Sequence, residues 1–121
     1  MSWFNIKKGD ENTERLYVLE MIVDGIVVYK VGKSSGHSSK ARMLQIVGSY
    51  FDAYRVTPVV KIVKDTACTG VFEKETLCHQ ELVEYKYTPD KSFSGCTETF
   101  KIDKEVVLEV YKRVLEGTKE D

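Results

Sequence analysis

The sequence predicts an α+β domain in which a small, mainly antiparallel three-stranded sheet, beginning with an N-terminal β-hairpin, is flanked by about three helices. Two runs rich in β-branched and aromatic residues flank one Asp-Gly pair within residues 15–32. A third such run covers residues 58–63, and three later segments repeat apolar residues at the helical period. The 121 residues suit a single domain, placed at 15–117 between an N-terminal arm (1–14) and a frayed tail (118–121).

The predicted hairpin is the element on which the other expectations depend. Asp24-Gly25 favours a two-residue type I′ turn, which requires positive φ at both positions. This turn fixes the register, so Tyr17 faces Gly32, and Lys30 lies on the same face. Gly32 has no side chain, which would leave a gap opposite Tyr17 for a ligand. The alternative is a buried hairpin whose lysine extends to solvent.

A loop rich in small polar residues, 33–39, leads from the hairpin into the first helix. Ser38 or Ser39 is a candidate N-cap, and the helix is expected to run to about Phe51. Its predicted apolar stripe consists of Ala41, Leu44, Val47, Gly48 and Phe51. Arg42 lies off this stripe, so spacing alone places it in solvent.

The second half of the chain predicts one more strand and two more helices. Residues 58–63 form a third strand with Pro58 at its edge, where the missing N–H of proline costs little. Thr69 can cap a second helix that reaches about Lys86, residues 87–97 form a loop, and residues 98–102 are a candidate short strand. Asp103 caps a last helix that Gly117 ends. The stripe of this helix is Val106, Val107, Val110, Tyr111 and Val114.

The second helix carries an acid on its apolar side. On a wheel of about 100° per residue, Glu75 and His79 fall inside the apolar arc. That arc consists of Val71, Phe72, Cys78, Leu82 and Val83. A carboxylate in a core-facing stripe is costly unless it is paired, protonated or bound to a metal. Glu75 is therefore a candidate metal ligand, and the alternative is a purely structural pair with His79 or with a lysine such as Lys30.

Composition and charge exclude several classes of protein. No segment has the apolar length of a membrane span, and the first residues lack the apolar core of a signal peptide, so we expect a cytoplasmic protein with no membrane partner. Three irregularly spaced cysteines without a Cys-x-x-Cys pair favour reduced thiols over disulfides or zinc. The net charge is −1, yet residues 26–50 contain no acid. Cations that could meet phosphate lie in this stretch, namely Lys30, Lys33, Lys40 and Arg42.

Taken together, these residues resemble the GIY-YIG nuclease superfamily. The similar segments are Arg15-Leu16-Tyr17, Lys30-Val31-Gly32-Lys33-Ser34, Arg42 in the next helix, Glu75-x-x-x-His79 and Gly95-x-x-Glu98-x-Phe100. Their order and spacing are most similar to the phage- and virus-encoded branch, in which lysine replaces the tyrosine of the second motif. The resemblance covers residues 15–102.

The resemblance implies a small mixed sheet with flanking helices that cuts DNA phosphodiesters with a divalent metal, Mg²⁺ or Mn²⁺. It implies catalytic roles for Tyr17, Lys30, Arg42 and Glu75, with Glu75 as the metal ligand. It also implies a set of substrate-binding residues, for which we name Gly32, Lys33, Ser34, Lys40 and His79. Glu98 matches a recurrent position of the viral branch to which we assign no role.

The chemistry of phosphodiester hydrolysis suits these residues. The reaction needs a base near the attacking water, positive charge at the phosphate and help for the leaving oxygen. Tyr17 beside Lys30, the planar guanidinium of Arg42 and a cation on Glu75 would supply them. We therefore expect a metal-dependent DNA endonuclease related to phages or mobile elements.

Two other classes of function stay open. One is a non-catalytic nucleic-acid-binding or regulatory domain on the same scaffold, because the first motif reads Arg15-Leu16 and no late asparagine is present. The other is an interaction protein without any site. The oligomeric state is also open, with a homodimer as one option.

Overall fold

The computed structural model describes residues 13–117. Its strands are β1 (Glu14–Val23), β2 (Ile26–Ser35), β3 (Val59–Ala67) and β4 (Thr99–Phe100). Its helices are α1 (Lys40–Tyr54), α2 (Val71–Glu81) and α3 (Lys104–Gly117), and short 3₁₀ turns lie at Val83–Tyr85 and Cys96–Glu98. The predicted tail and the arm up to residue 12 lie outside the described residues, and residue 14 already belongs to β1. Within residues 13–117, no helix has the length and apolar character needed to cross a membrane.

β1 and β2 form the predicted hairpin in the predicted register. The turn residues Asp24 and Gly25 have φ angles of 55° and 76°, the positive values that a type I′ turn requires. Tyr17 pairs with Gly32, and Lys30 lies two pairs away on the same face. The hairpin therefore brings a phenol and an amine together, as the sequence predicts.

The Asp24 carboxylate ties the turn to distant parts of the chain. Tyr54 donates to Oδ1 at 2.9 Å, while Tyr87 and the backbone N–H of Asp90 donate to Oδ2 at 2.6 and 2.9 Å. Burial alone would raise the pKa of Asp24, but these hydrogen bonds outweigh it and lower the pKa. The bond to Asp24 in turn raises the pKa of Tyr87 to about 12. The end of α1 and the loop after α2 are thereby fixed to the hairpin.

The sheet has four strands in the order β3-β1-β2-β4, and all neighbours are antiparallel. The prediction of three strands was therefore one too few. The candidate strand at 98–102 is confirmed only for Thr99–Phe100, which is too short to show an alternating pattern. β3 confirms the predicted third strand, but it begins at Val59 and continues to Ala67. It lies at the edge of the sheet, and its register against β1 shifts between Val18 and Leu19.

Both faces of the sheet are covered by other elements. Leu16 and Val18 of β1 belong to a core that also contains residues of α2 and α3. Tyr17 and Leu19 belong to a second core, on the other face, with residues of α1 and with Phe93. Because both faces of the sheet are buried, the sequence of β1 is largely a run of apolar residues and does not alternate between apolar and polar residues.

α1 packs on the sheet through a different stripe from the predicted one. Its buried residues are Ile46 and Tyr50, and the Tyr54 ring stacks on the Tyr50 ring with centroids 4.3 Å apart. Leu44 and Phe51, which belong to the predicted stripe, are 54% and 42% exposed. Both stripes repeat at the helical period, and the prediction left out the large apolar area of the two tyrosine rings.

α2 is shorter than predicted at both ends. Gly70, with φ of 61°, precedes the helix in place of a Thr69 cap, and the helix ends at Glu81 before a 3₁₀ turn. The centre of the predicted apolar arc is confirmed, since the helix buries Val71, Glu75 and Cys78. The prediction was wrong at the two sides of the arc, where Phe72 and Val83 are each 63% exposed.

α3 is the helix that the sequence predicts best. Val107, Val110, Tyr111 and Val114 are buried as expected, and only Val106 of the predicted stripe is exposed. The Tyr111 hydroxyl donates to the backbone carbonyl of Leu16 at 2.7 Å. Burial raises the pKa of Tyr111 to about 12. The helix is therefore anchored to β1 by a buried hydrogen bond as well as by apolar packing.

Asp65 on β3 holds the start of α1 in place. Arg15 Nε and Ser39 Oγ donate to Oδ1 at 2.8 and 2.9 Å, and the Ser39 backbone N–H donates to Oδ2 at 2.8 Å. Ser39 is the residue before the helix, as predicted, but its hydroxyl serves Asp65 and caps no helix N–H. Burial alone would raise the pKa of Asp65, but the bonds from Arg15 and Ser39 outweigh it and lower the pKa below its ordinary value of 3.8.

Replacing Asp65 by Asn should lower the free energy of unfolding by about 1 to 3 kcal/mol at neutral pH, because the buried donors lose a charged acceptor. Folding lowers the pKa of Asp65, so its contribution is present above about pH 3.8 and is lost as the pH falls through the folded-state pKa. Urea unfolding should therefore show the two proteins converging on acidification. Asp52→Asn, on the exposed side of α1, is the control, and a difference independent of pH would contradict this account.

Candidate active site

The hairpin register brings a buried phenol together with a buried amine. Lys30 Nζ donates to the Tyr17 hydroxyl oxygen at 2.9 Å, and the two residues are 1% and 0% exposed. Lys30 Nζ also pairs with Glu98 Oε1 at 2.8 Å. A buried ammonium is costly unless it is paired and hydrogen-bonded. The structure supplies both partners, so Lys30 does not extend to solvent.

Two glycines make room for this pair. A Cβ atom on Gly32 would lie 2.5 Å from the Tyr17 hydroxyl oxygen and 2.6 Å from Lys30 Nζ. A Cβ atom on Gly95, whose φ is 84°, would collide with Lys30 Cε. The expectation of a gap for a ligand at Gly32 is therefore wrong, because the tyrosine and the lysine themselves fill that space.

The pairing of β4 with β2 determines where Glu98 lies. β4 pairs Thr99 with Lys30, so the preceding residue, Glu98, lies beside the lysine. Glu98 is the most open member of the group, with its side chain 31% exposed. The pairing of β4 ends at Lys30, and the carbonyl of the next residue of β2, Val31, has a different partner.

That partner is His79, which comes with Glu75 from α2. The two residues are one helical turn apart, so they lie on the same side of the helix. His79 Nε2 lies 2.8 Å from the Val31 carbonyl oxygen. A carbonyl oxygen can only accept, so Nε2 donates, and in the neutral ring Nδ1 keeps the lone pair.

Glu75 is turned inward, as the helical wheel predicts. It is 7% exposed, and among residues 13–117 its carboxylate forms no hydrogen bond or ion pair. Every fully buried side-chain oxygen or nitrogen in this part of the chain has a partner, so the Glu75 oxygens must touch the remaining solvent. The described bonds of His79 and Lys30 go to other groups, which disfavours Glu75 as a merely structural partner of either.

Glu75, His79 and Glu98 converge on one point. One candidate ligand atom from each lies within 4.8 Å of the others. Two carboxylates and an imidazole are a donor set that binds divalent cations. Through Glu98 this group, which we call the acidic cluster, is continuous with Lys30 and Tyr17.

The cysteines take no part in this arrangement. Cys68, Cys78 and Cys96 are all unbridged, in agreement with the expected free thiols. Burial raises the pKa of Cys78 to about 12, which keeps it as a thiol. No group of three metal-ligating side chains that includes a cysteine occurs within residues 13–117.

Three other predicted site residues, all cations, make no bond to this centre. Lys33 and Lys40 are exposed, and Arg42 Nη1 donates to Gln45 Oε1 at 3.1 Å on its own helix. In the described part of the chain, no hydrogen bond or ion pair joins these three cations to the acidic cluster or to Tyr17.

Ser34 has a structural partner. Its hydroxyl shares a hydrogen bond of 2.7 Å with the Ser39 hydroxyl, which is bound to Asp65. Ser34 is therefore part of the network that positions α1, and the described structure gives it no contact with the acidic cluster.

A large groove lies elsewhere on the molecule. It has a volume of about 1130 Å³ and runs between the edge strand β3 and α3, where Thr66, Cys68, Leu108 and Leu115 are among its lining residues. None of the residues of the acidic cluster, and neither Tyr17 nor Lys30, lines it. We favour the acidic cluster as the site, because its three ligand atoms lie close enough together to share one cation and it is joined to the buried Lys30 and Tyr17 pair.

Comparison with known protein families identifies the family of the chain. The T5orf172 domain model matches residues 14–115, a span that contains the acidic cluster, Tyr17 and Lys30. The chain belongs to the T5orf172 domain family. The T5orf172 domain is phage-associated and nuclease-like, which supports the expected phage and nuclease character at that level. Neither the curated proteins nor the solved structures contain a significant match.

Glu98 is the residue of this T5orf172 domain that sequence reasoning left without a role. Its spacing from Gly95 and Phe100 was part of the resemblance, which was the available signal. Its contact with Lys30 spans 68 residues of the chain, and no local pattern reports such a contact. Gly95 was missed for the same reason, since its role is to leave room for the Lys30 side chain.

Gly32→Ala should destabilise the protein by about 1 to 3 kcal/mol, because the added methyl group overlaps the Tyr17 hydroxyl and the Lys30 amine. Gly48→Ala is the matched control. Gly48 lies within α1 with nothing near an added Cβ, so this change should stabilise the helix by about 0.5 to 1 kcal/mol. Urea unfolding of the two variants would measure the opposite signs, and equal effects would contradict the close packing at Gly32.

Proposed function

We propose that this T5orf172 domain is a metal-dependent DNA endonuclease of the GIY-YIG type that hydrolyses phosphodiester bonds. The observation that carries the proposal is that Glu98 joins the Lys30 and Tyr17 pair to Glu75 and His79. A phenol, an ammonium, two carboxylates and an imidazole thus share one site. The nuclease-like character of the family supports the same reaction class.

The residues present fit a divalent cation. A carboxylate as buried as Glu75 and without a partner among residues 13–117 is costly unless a cation balances it. Glu75 would hold the ion, and Mg²⁺ or Mn²⁺ are the candidates that carboxylate ligands suit. Such an ion would stabilise the negative charge that develops on the phosphate oxygens.

The chain itself supplies the groups that handle the proton. Lys30 donates to the Tyr17 oxygen, which fixes the phenol and stabilises negative charge on that oxygen. Tyr17 is our candidate for orienting or deprotonating the attacking water. Because Tyr17 and Lys30 are sealed and Glu98 is part-exposed, water would enter from the Glu98 side.

The cations around the end of β2 form the proposed DNA surface. Lys33 at that end and Lys40 at the start of α1 are exposed, so both are free to approach phosphates of the duplex. Arg42 on α1 offers the planar guanidinium that binds phosphate with two hydrogen bonds. These contacts would position the DNA without reading its sequence.

A non-catalytic nucleic-acid-binding domain is the second candidate. It is favoured by the sealing of Tyr17, whose exposure is 0%, because a phenol must reach water or substrate to act on it. In that case the cations at the end of β2 would bind DNA, and the acidic cluster would serve stability or metal binding alone.

Glu75→Gln separates the two candidates. If the proposal is correct, cleavage of plasmid or branched DNA in Mg²⁺ or Mn²⁺ should fall by roughly a hundredfold or more, because the amide is a poor cation ligand. Glu73→Gln, an exposed change on the same helix, is the control and should leave cleavage unchanged. Circular dichroism and DNA affinity should be preserved in both. A wild-type protein that binds DNA but never cuts it with either ion would favour the binding domain.

Replacing Lys33 and Lys40 together by Met should weaken DNA binding to a similar extent for all sequences. Each phosphate contact contributes about one unit to the slope of log affinity against log salt, so the double variant should lose roughly two units. Fluorescence anisotropy between low and moderate salt would measure this. Lys112→Met on α3 is the control, and an unchanged slope in the double variant would place the DNA surface elsewhere.

A further inference from the structure

The imidazole of His79 is held in the way that suits a metal ligand. Its Nε2 donates to the Val31 carbonyl oxygen at 2.8 Å, which fixes both the orientation and the tautomer of the ring. A metal-binding histidine characteristically donates its second ring nitrogen to a carbonyl or carboxylate in this manner. The backbone of β2 therefore pre-organises His79 with its remaining lone pair on Nδ1.

Glu75 supplies an independent observation that a cation belongs beside this ring. Its side chain is more than nine-tenths buried, and its carboxylate has no hydrogen-bond or ion-pair partner among residues 13–117. It shares the turn of α2 with His79, and its candidate ligand atom lies within 4.8 Å of those of His79 and Glu98. Two ligands of one ion with bonds of about 2.1 Å are at most about 4.2 Å apart, so small side-chain rotations close the set.

Glu98 can serve the ion without leaving Lys30. Its Oε1 is bound to Lys30 Nζ at 2.8 Å, and a carboxylate has a second oxygen to offer. A ligand carboxylate that is itself held by a hydrogen bond is the usual arrangement in metal sites. Lys30 is therefore a positioning residue for Glu98, in addition to its contact with Tyr17.

We infer that Glu75, His79 and Glu98 form a three-ligand metal site that binds a first-row transition ion of the Mn²⁺ type in preference to Mg²⁺. This inference deepens the proposed function and rests on it for the biological purpose of the metal. Mg²⁺ prefers oxygen ligands and dehydrates reluctantly, whereas an imidazole is a good ligand for transition ions. His79, which we first expected to bind substrate, is thereby assigned to the metal.

The composition of the chain makes the test specific. The protein has two histidines, His79 and His37, and His37 lies in the exposed loop between β2 and α1. Mn²⁺ has little affinity for thiols, so Cys96, two residues before Glu98, does not interfere. Paramagnetic Mn²⁺ broadens the resonances of nearby nuclei, so each histidine ring reports its own distance from the ion.

The experiment titrates the full chain with MnCl₂ and MgCl₂ and measures affinity by calorimetry and histidine ring signals by NMR. We expect substoichiometric Mn²⁺ to broaden the His79 ring signals and to leave those of His37 sharp. His79→Gln should weaken Mn²⁺ binding by roughly 10- to 100-fold and Mg²⁺ binding by less than about threefold, and His37→Gln should change neither. Glu98→Gln is the second variant and should weaken both ions.

Three results would overturn the inference: equal affinity of the wild type for both ions, unbroadened His79 signals, or an unchanged Mn²⁺ affinity in His79→Gln. The proposed function is tested separately, by measuring DNA cleavage with the same protein preparations. DNA cleavage together with an unchanged Mn²⁺ affinity in His79→Gln would refute the three-ligand site and keep the nuclease. Mn²⁺ binding at His79 without cleavage of any DNA would do the reverse.

Discussion

The buried ammonium of Lys30 is the interaction on which the site depends. A charge removed from water costs several kcal/mol unless it is paired and hydrogen-bonded. Lys30 meets this demand with the Tyr17 hydroxyl and the Glu98 carboxylate. Two glycines, Gly32 and Gly95, leave the space that the amine and its alkyl chain occupy. Lys30 Nζ thus connects the hairpin to the 3₁₀ turn at Cys96–Glu98 and to β4, which follows it.

The outer edge of β2 gives the site its second half. Because β4 pairs only with Tyr29 and Lys30, the strand is uncovered by β4 from Val31 onward. His79 of α2 donates to the Val31 carbonyl oxygen, where a longer β4 would otherwise pair. The helix therefore contributes to the apolar core through Cys78 and to the polar site through Glu75 and His79. A longer β4 would have covered the position where the acidic cluster forms.

The predictions that succeeded are those set by local chemistry. The Asp-Gly turn fixes the hairpin register by backbone geometry alone, so the proximity of Tyr17 and Lys30 could be predicted. An inward Glu75 followed from helical spacing. The predicted buried face of α1 was wrong, because two stripes of the helix share the same period. Only the position of the sheet decides whether Leu44 or Ile46 is buried. The pairing of Glu98 with Lys30 could not be predicted, since it joins residues 68 positions apart through a strand of two residues.

The Asp24 carboxylate restricts which residue can occupy position 24 more than the turn conformation does. Asparagine would adopt the positive φ of residue 24 as readily as aspartate does. However, both oxygens of Asp24 accept hydrogen bonds, from Tyr54 on one side and from Tyr87 and the Asp90 amide on the other. An amide would direct an N–H at one of these donors. Substitution tolerance at residue 24 is consequently governed by its tertiary contacts, and loop grafting that preserves only turn geometry would detach α1 from the hairpin tip.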